Sequence, residues 1–173
     1  MTYSPLPTVN TGDLWTAASH NTYIRDNFDF FNTEHAYLDA GWRKADDTWV
    51  YVSATSFKIV GINRTAIFEK GARIRWKDGG SYKYAVVTGA TFATDTTVTF
   101  TGGSDYSMAN ATITDNYYSY EVAPQGYPDW FNWAANPTGF ASFTNNLARF
   151  KLMGKQAVLE MYFSGVSNAT TKT

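Results

Sequence analysis

The sequence predicts a mainly β protein with an N-terminal α-helix: a small antiparallel β-barrel or sandwich, then the start of a second β-sandwich. Three observations carry this. The 173 residues include 6 Trp, 12 Tyr and 12 Phe but only 17% charged side chains, a composition suited to strands. One stretch, from Thr16 to about Leu38, has helical periodicity without Gly or Pro. Beyond Trp49, short β-branched and aromatic runs recur between turns rich in Gly, Asn and Asp.

The elements follow in order. Residues 1–12 hold Pro5, Pro7 and Gly12 with no apolar period, and form an N-terminal arm. Residues 13–45 contain the helix, with Thr16 or Asp13 placed to cap its first turn. Ala17, Asn21, Ile24, Phe28, Phe31, His35 and Leu38 are spaced alternately four and three apart, the seam of a heptad repeat. Arg25, Asp26, Asp29 and Glu34 lie opposite, on a solvated face. Asn21 in the seam suits a register-fixing polar layer, so self-association is expected, as a homotrimer. The alternative is an amphipathic helix packed on its own domain.

Residues 46–114 form the small barrel. Trp49–Val52, Ser56–Val60, Ala72–Trp76, Ser81–Val87 and Thr96–Phe100 are its strands, with Ile74 and Trp76 facing away from Arg73 and Arg75. Asp78-Gly79-Gly80 makes a hairpin turn, because glycine accepts the positive φ that such turns require. Short turns between successive strands imply meander connections. Residues 115–147 are an aromatic connector containing Pro124, Gly126, Pro128, Pro137 and Gly139, too broken to be regular throughout. Its rings Tyr117, Tyr118, Tyr120, Trp130, Phe131 and Trp133 either pack on a partner surface or form a platform for a glycan. Residues 148–173 begin a C-terminal β-domain, with strands at 148–153 and 156–163 around Gly154-Lys155. Two strands do not bury a core alone. A continuing chain is expected to cover them, with strand exchange between sister subunits as the alternative.

Several chemistries are excluded or left without a motif. Cys is absent, which rules out disulfides, thiol nucleophiles and thiolate metal sites. His20 and His35 leave little material for a zinc site or a catalytic dyad, and no metal or cofactor is expected. A net charge of −1 supplies no basic excess for nucleic acid. No apolar run reaches membrane-span length, and the first ten residues lack the layout of a signal peptide. No nucleophile elbow, zinc-protease motif or phosphate loop occurs, and Gly102-Gly103 reads as a turn, so no catalytic residue is assigned.

The run Thr11-Gly12-Asp13-Leu14-Trp15-Thr16-Ala17-Ala18-Ser19-His20-Asn21-Thr22-Tyr23-Ile24-Arg25-Asp26-Asn27 resembles the N-terminal segment of structural proteins of tailed bacteriophages. Phe68–Gly71, Gly102–Tyr106 and Pro124–Pro128 are similar to the β-barrel that follows it in those proteins. Phe163–Thr171 resembles an early hairpin of their C-terminal sandwich. The resemblance implies a virion component of tail-fibre, tail-tip or head-fibre type, made in the bacterial host cytoplasm and attached by its N-terminal region. It implies other virion proteins as partners, host attachment as the setting, and no catalytic residues. A carbohydrate-binding module recognising host-surface or polysaccharide glycans is the alternative function.

Overall fold

The computed structural model describes residues 17–136, 138–153 and 156–168, without the side chains of 17–20 and 33–39. The chain divides into two compact units, Met1–Ala40 and Gly41–Thr173. In the first, helix α1 runs Ala17–Asp39 over 23 residues. The arm and the capping residues Thr16 and Asp13 lie outside the described residues. No helix there is long and apolar enough to cross a membrane.

The second unit is built from strands. They are β1 (Arg43–Lys44), β2 (Val50–Ser53), β3 (Ser56–Ile59), β4 (Arg73–Lys77), β5 (Lys83–Phe92), β6 (Thr96–Thr101), β7 (Thr114–Ser119), β8 (Phe131–Asn132), β9 (Phe140–Met153) and β10 (Gln156–Ser167). Seven pair antiparallel in the order β1-β7-β4-β5-β6-β3-β2, and the sheet curls into a half-barrel. Its end strands β1 and β2 do not pair with each other. The remaining three form a separate sheet, β10-β9-β8.

Two expectations are corrected here. The strands are not a simple meander, because β3 pairs with β6 and β7 inserts between β1 and β4. The reason is the 60–72 segment, which leaves β3 and buries Phe68 completely in the core before entering β4. Residues 115–147 are not merely a connector either. Most of β7, all of β8 and the first half of β9 fall within them.

The concave side of the half-barrel is filled by interlocked rings. Trp49 stacks on Phe57 with centroids 4.0 Å apart, and Phe68 meets both edge-on at 5.6 and 5.5 Å. Phe100 links Phe57 to Trp76, with a centroid separation of 5.1 Å on the Trp76 side. Edge-on and offset pairs of this kind each add about 0.5–1.5 kcal/mol beyond the area they bury. Met108 and Ile113, from the segment between β6 and β7, are buried in the same cluster.

Two buried polar side chains near this core are fixed by several hydrogen bonds each. Thr96 is fully buried, donates to the Ile62 carbonyl at 2.5 Å and accepts from the Arg64 amide at 2.8 Å. Asp78 opens the β4–β5 turn, in which Gly79 and Gly80 have φ of 114° and 82°. Its carboxylate accepts from the Ala109 amide at 2.5 Å, the Trp76 indole at 3.2 Å and the Lys83 ammonium at 2.7 Å. One side chain thereby ties the hairpin to the loop after β6. Desolvation opposes its ionisation, but the Ala109, Lys83 and Trp76 donors outweigh it and hold the carboxyl below the usual range.

The long hairpin β9–β10 carries two β-bulges. Tyr162 pairs with Leu147 but Phe163 pairs with Asn145, so Asn146 is the extra residue. Val166 pairs with Ser142 but Ser167 pairs with Phe140, so Ala141 is the second.

Asp78→Asn is expected to destabilise the chain at pH 7 by about 2 kcal/mol, the scale of a lost charge-assisted hydrogen bond. Because the folded pKa lies below the unfolded one, this stabilisation is complete above the unfolded value and is lost as pH falls through the folded value. Urea unfolding should show wild type and variant separated at pH 7 and converging under acid conditions; a gap that widens with acid would contradict the assignment.

Candidate functional site

Three regions could meet another molecule: the helix seam, the aromatic segment and the long hairpin. In the seam, Ile24, Phe28 and Phe31 are 42%, 65% and 60% exposed, and Asn21 is exposed beside them. Ala17, His35 and Leu38 lie on α1, with side chains outside those described. The core of the half-barrel contains no residue of this stripe. Large apolar side chains repeating at heptad spacing on an exposed face are what a parallel partner helix covers.

The aromatic segment divides between buried and exposed rings. Tyr117 and Phe131 are buried within the chain itself. Tyr117 sits on β7 beside Arg75 of β4 and faces the convex side of the half-barrel. There the Arg75 guanidinium lies 4.2 Å from the Tyr117 ring centre and 4.7 Å from those of Tyr82 and Trp42. Cation–π contacts are worth about 0.5–2 kcal/mol each, the upper end when desolvated. Residues 124–131 fold back over this layer. Trp42 donates its indole N–H to the Gln125 carbonyl at 2.8 Å, and its ring lies 6.2 Å from Tyr127. Gly41 is needed below Pro124: its φ is 74°, and a Cβ there would come within 3.1 Å of the proline.

From Tyr127 the rings run on into the second sheet. Phe131 lies 5.6 Å from Tyr127, 6.0 Å from Tyr106 and 5.5 Å from Phe150 of β9. The Gly102–Tyr106 turn clamps the same junction. Asp105 accepts from the Asn132 amide at 2.7 Å and from its side-chain N–H at 2.8 Å, while the Ser104 amide donates to the Asn132 carbonyl at 2.7 Å. Gly102 is packed so closely that a Cβ would stand 2.7 Å from Tyr106 and 2.8 Å from the Tyr84 carbonyl. Burial pushes the Tyr127 hydroxyl, which has no partner among the described residues, well above its ordinary pKa.

Of the other platform residues, Tyr118 is half-buried at the edge of the inner core, 6.0 Å from Phe68. Trp130 is half-buried on the far face of the second sheet, with Arg149 at 4.5 Å and Lys151 at 4.7 Å from its ring centre. A sugar stacking on that face would compete with two cations. Tyr120 and Trp133 are exposed, and the Tyr120 hydroxyl donates to the Ile67 carbonyl at 3.1 Å. The six rings therefore do not form one coplanar surface.

The hairpin is the third region. Cross-strand pairing puts Phe150 with Leu159, Leu152 with Ala157 and Ala148 with Met161 on one face. Phe140, Phe143 and Phe163 cluster further along it, with centroids 5.4–6.0 Å apart. Phe131 covers the Phe150 end, but Leu159, Met161 and Phe163 are exposed. The opposite face carries Arg149 paired with Glu160 at 2.7 Å. Sequence reasoning found helix α1, the second half of β9 and most of β10; it did not find the Arg75 cage, which needs residues from four separate segments. Among the described residues no group of His, Asp and Glu could hold a metal ion.

No protein-family model, curated protein or solved structure matches the chain.

The two neighbours Trp130 and Phe131 separate the structural from the surface role. Phe131→Ala is expected to destabilise the fold by about 3–5 kcal/mol, as for other large core truncations. Trp130→Ala removes two partly exposed cation–π contacts and should lower stability by about 1–2 kcal/mol. Urea denaturation of both variants checks this; equal losses would mean that Trp130 is also a core residue.

Proposed function

We propose that the chain is a non-enzymatic structural subunit of a tailed-phage particle, of tail-fibre, tail-tip or head-fibre type. It attaches by its N-terminal region and self-associates through α1 as a homotrimer, with other virion proteins as neighbours. The observation that carries the reading is the exposed row Ile24, Phe28 and Phe31 at heptad spacing along a 23-residue helix. Fully burying such side chains stabilises by about 1.5–3 kcal/mol each, a strong drive when three chains bring the same row together. The uncovered hairpin face agrees with a subunit that finishes its packing inside an assembly. The phage assignment rests on the resemblance in Thr11–Asn27 and in the barrel and hairpin segments. Sugar binding has less support, since Tyr117 and Phe131 are buried and Trp130 carries two cations.

Light scattering on the purified chain should give three times its 19.3 kDa mass, and Ile24→Asp should dissociate it. The variant would force three carboxylates into one apolar layer, at several kcal/mol per unpaired charge. A strict monomer at tens of micromolar would sink the self-association. The virion assignment is tested separately, by asking whether the chain co-purifies with intact particles through a density gradient; a chain left wholly in the soluble fraction would remove it.

A further inference from the structure

A cleft of about 230 Å³ opens between residues 69–73 and the chain leaving β7 at Tyr120 and Val122. That volume is below the roughly 300 Å³ at which sites for whole small molecules begin, so it suits a single chemical group. Arg73, in its wall, is only 5% exposed. Nη1 donates to the Gly71 carbonyl, while Nε and Nη2 have no hydrogen-bond partner among the described residues. The guanidinium also lies 5.8 Å from the Tyr127 ring centre, a contact that leaves its in-plane donors unused. No carboxylate pairs with it in the described ion pairs.

A buried cation without a counter-charge is strongly unfavourable, and unsatisfied N–H groups add to the penalty. The free donors are also a particular pair. Nε–H and the adjacent Nη2–H point the same way along one edge of the guanidinium, the fork that receives both oxygens of a carboxylate. Lys70 and Glu69 line the same cleft. With Arg73 they leave one net positive charge, which a monoanion neutralises.

We infer that this cleft is a binding site for the carboxylate group of a ligand, received bidentately by Nε and Nη2 of Arg73 with Lys70 at the rim. Both donors are shielded from bulk water, so seating the carboxylate takes a side-chain adjustment of the kind common on binding. The site is built from residues of the sheet-forming unit alone and does not rest on the assembly reading.

The test is a titration of the full-length chain at fixed ionic strength, following the Arg73 Nε–H resonance by NMR. Sodium glucuronate is the carboxylate probe, glucose its neutral counterpart and inorganic phosphate the competing oxyanion. A saturable shift is expected with glucuronate, none with glucose, and affinity at least tenfold weaker with phosphate. Lys70→Gln, at an exposed position, should weaken glucuronate binding about threefold with an otherwise unchanged spectrum. Arg73→Lys keeps the charge but removes the fork and should lose tenfold or more; if it does not fold, the wild-type and Lys70→Gln titrations still decide. Shifts that fail to saturate, or that are equal for all three probes, overturn the inference. So does phosphate binding as tightly as glucuronate. An Arg73 resonance that moves in Glu69→Gln, with no saturation by glucuronate, would give the fork to the chain's own carboxylate and also overturn it.

Discussion

The interior strand β4 is covered on both faces, and the layer on its outer face organises much of the rest of the sheet-forming unit. Its inward residues Ile74 and Trp76 enter the ring-filled core, while on the other side Arg73 is buried and Arg75 half-buried. A curled antiparallel sheet ordinarily leaves its convex face to water. In this chain residues 124–131 return across that face, and Arg75 is the element around which the layer is assembled. An aliphatic residue there would fill space but would not hold three ring faces toward one point. The planar guanidinium does, and Trp42, Tyr82 and Tyr117 come from segments distant in sequence. The covering layer then continues through Tyr127 to Phe131 and so fixes where the second sheet begins.

Much of the inner half of the molecule was legible in the sequence. Alternation in Ser56–Ile59 and Arg73–Trp76, and the Gly79-Gly80 turn, each leave a local signature, and the structure has β3, β4 and the β4–β5 hairpin there. What was not legible depends on distant partners. The two-residue strand β1 has no period at all; it exists because β7 offers it an edge. β7 itself does alternate, with Tyr118 inward and Tyr117 and Ser119 outward, but the adjacent run of Pro, Gly and aromatic residues hides it as part of one irregular segment. The arginines of β4 read as the polar face of a half-exposed strand, and only the returning segment turns that face into an interior. At the candidate interfaces, the seam positions could be named because a heptad is a local pattern. The division of the aromatic residues into buried Tyr117 and Phe131 and exposed Tyr120 and Trp133 could not be, since burial is decided by what folds over them.

The chain carries surfaces of unlike finish. Around the half-barrel, polar groups such as Asp78, Thr96 and Asp105 are each used as fixed junctions between segments. Along α1 and β10, large apolar side chains stand in water. The half-barrel thus holds its own shape, while the apolar rows of α1 and β10 are left uncovered within the chain.

The two bulges in β9 have a meaning that is clearest from the reading frame of the strand. In an uninterrupted strand, Ala148, Phe150 and Leu152 would share a face with Asn146, Thr144 and Ser142, while Phe143 would point the other way. The extra residue at Asn146 shifts the phase by one and returns Phe143 to the side of Phe150; the second, at Ala141, does the same for Phe140. The bulges thus act as punctuation that lets a sequence with broken alternation present a continuous apolar side. An insertion or deletion of one residue between them would scramble only the outer end of the ribbon, whereas a two-residue change would leave every ring on its original side.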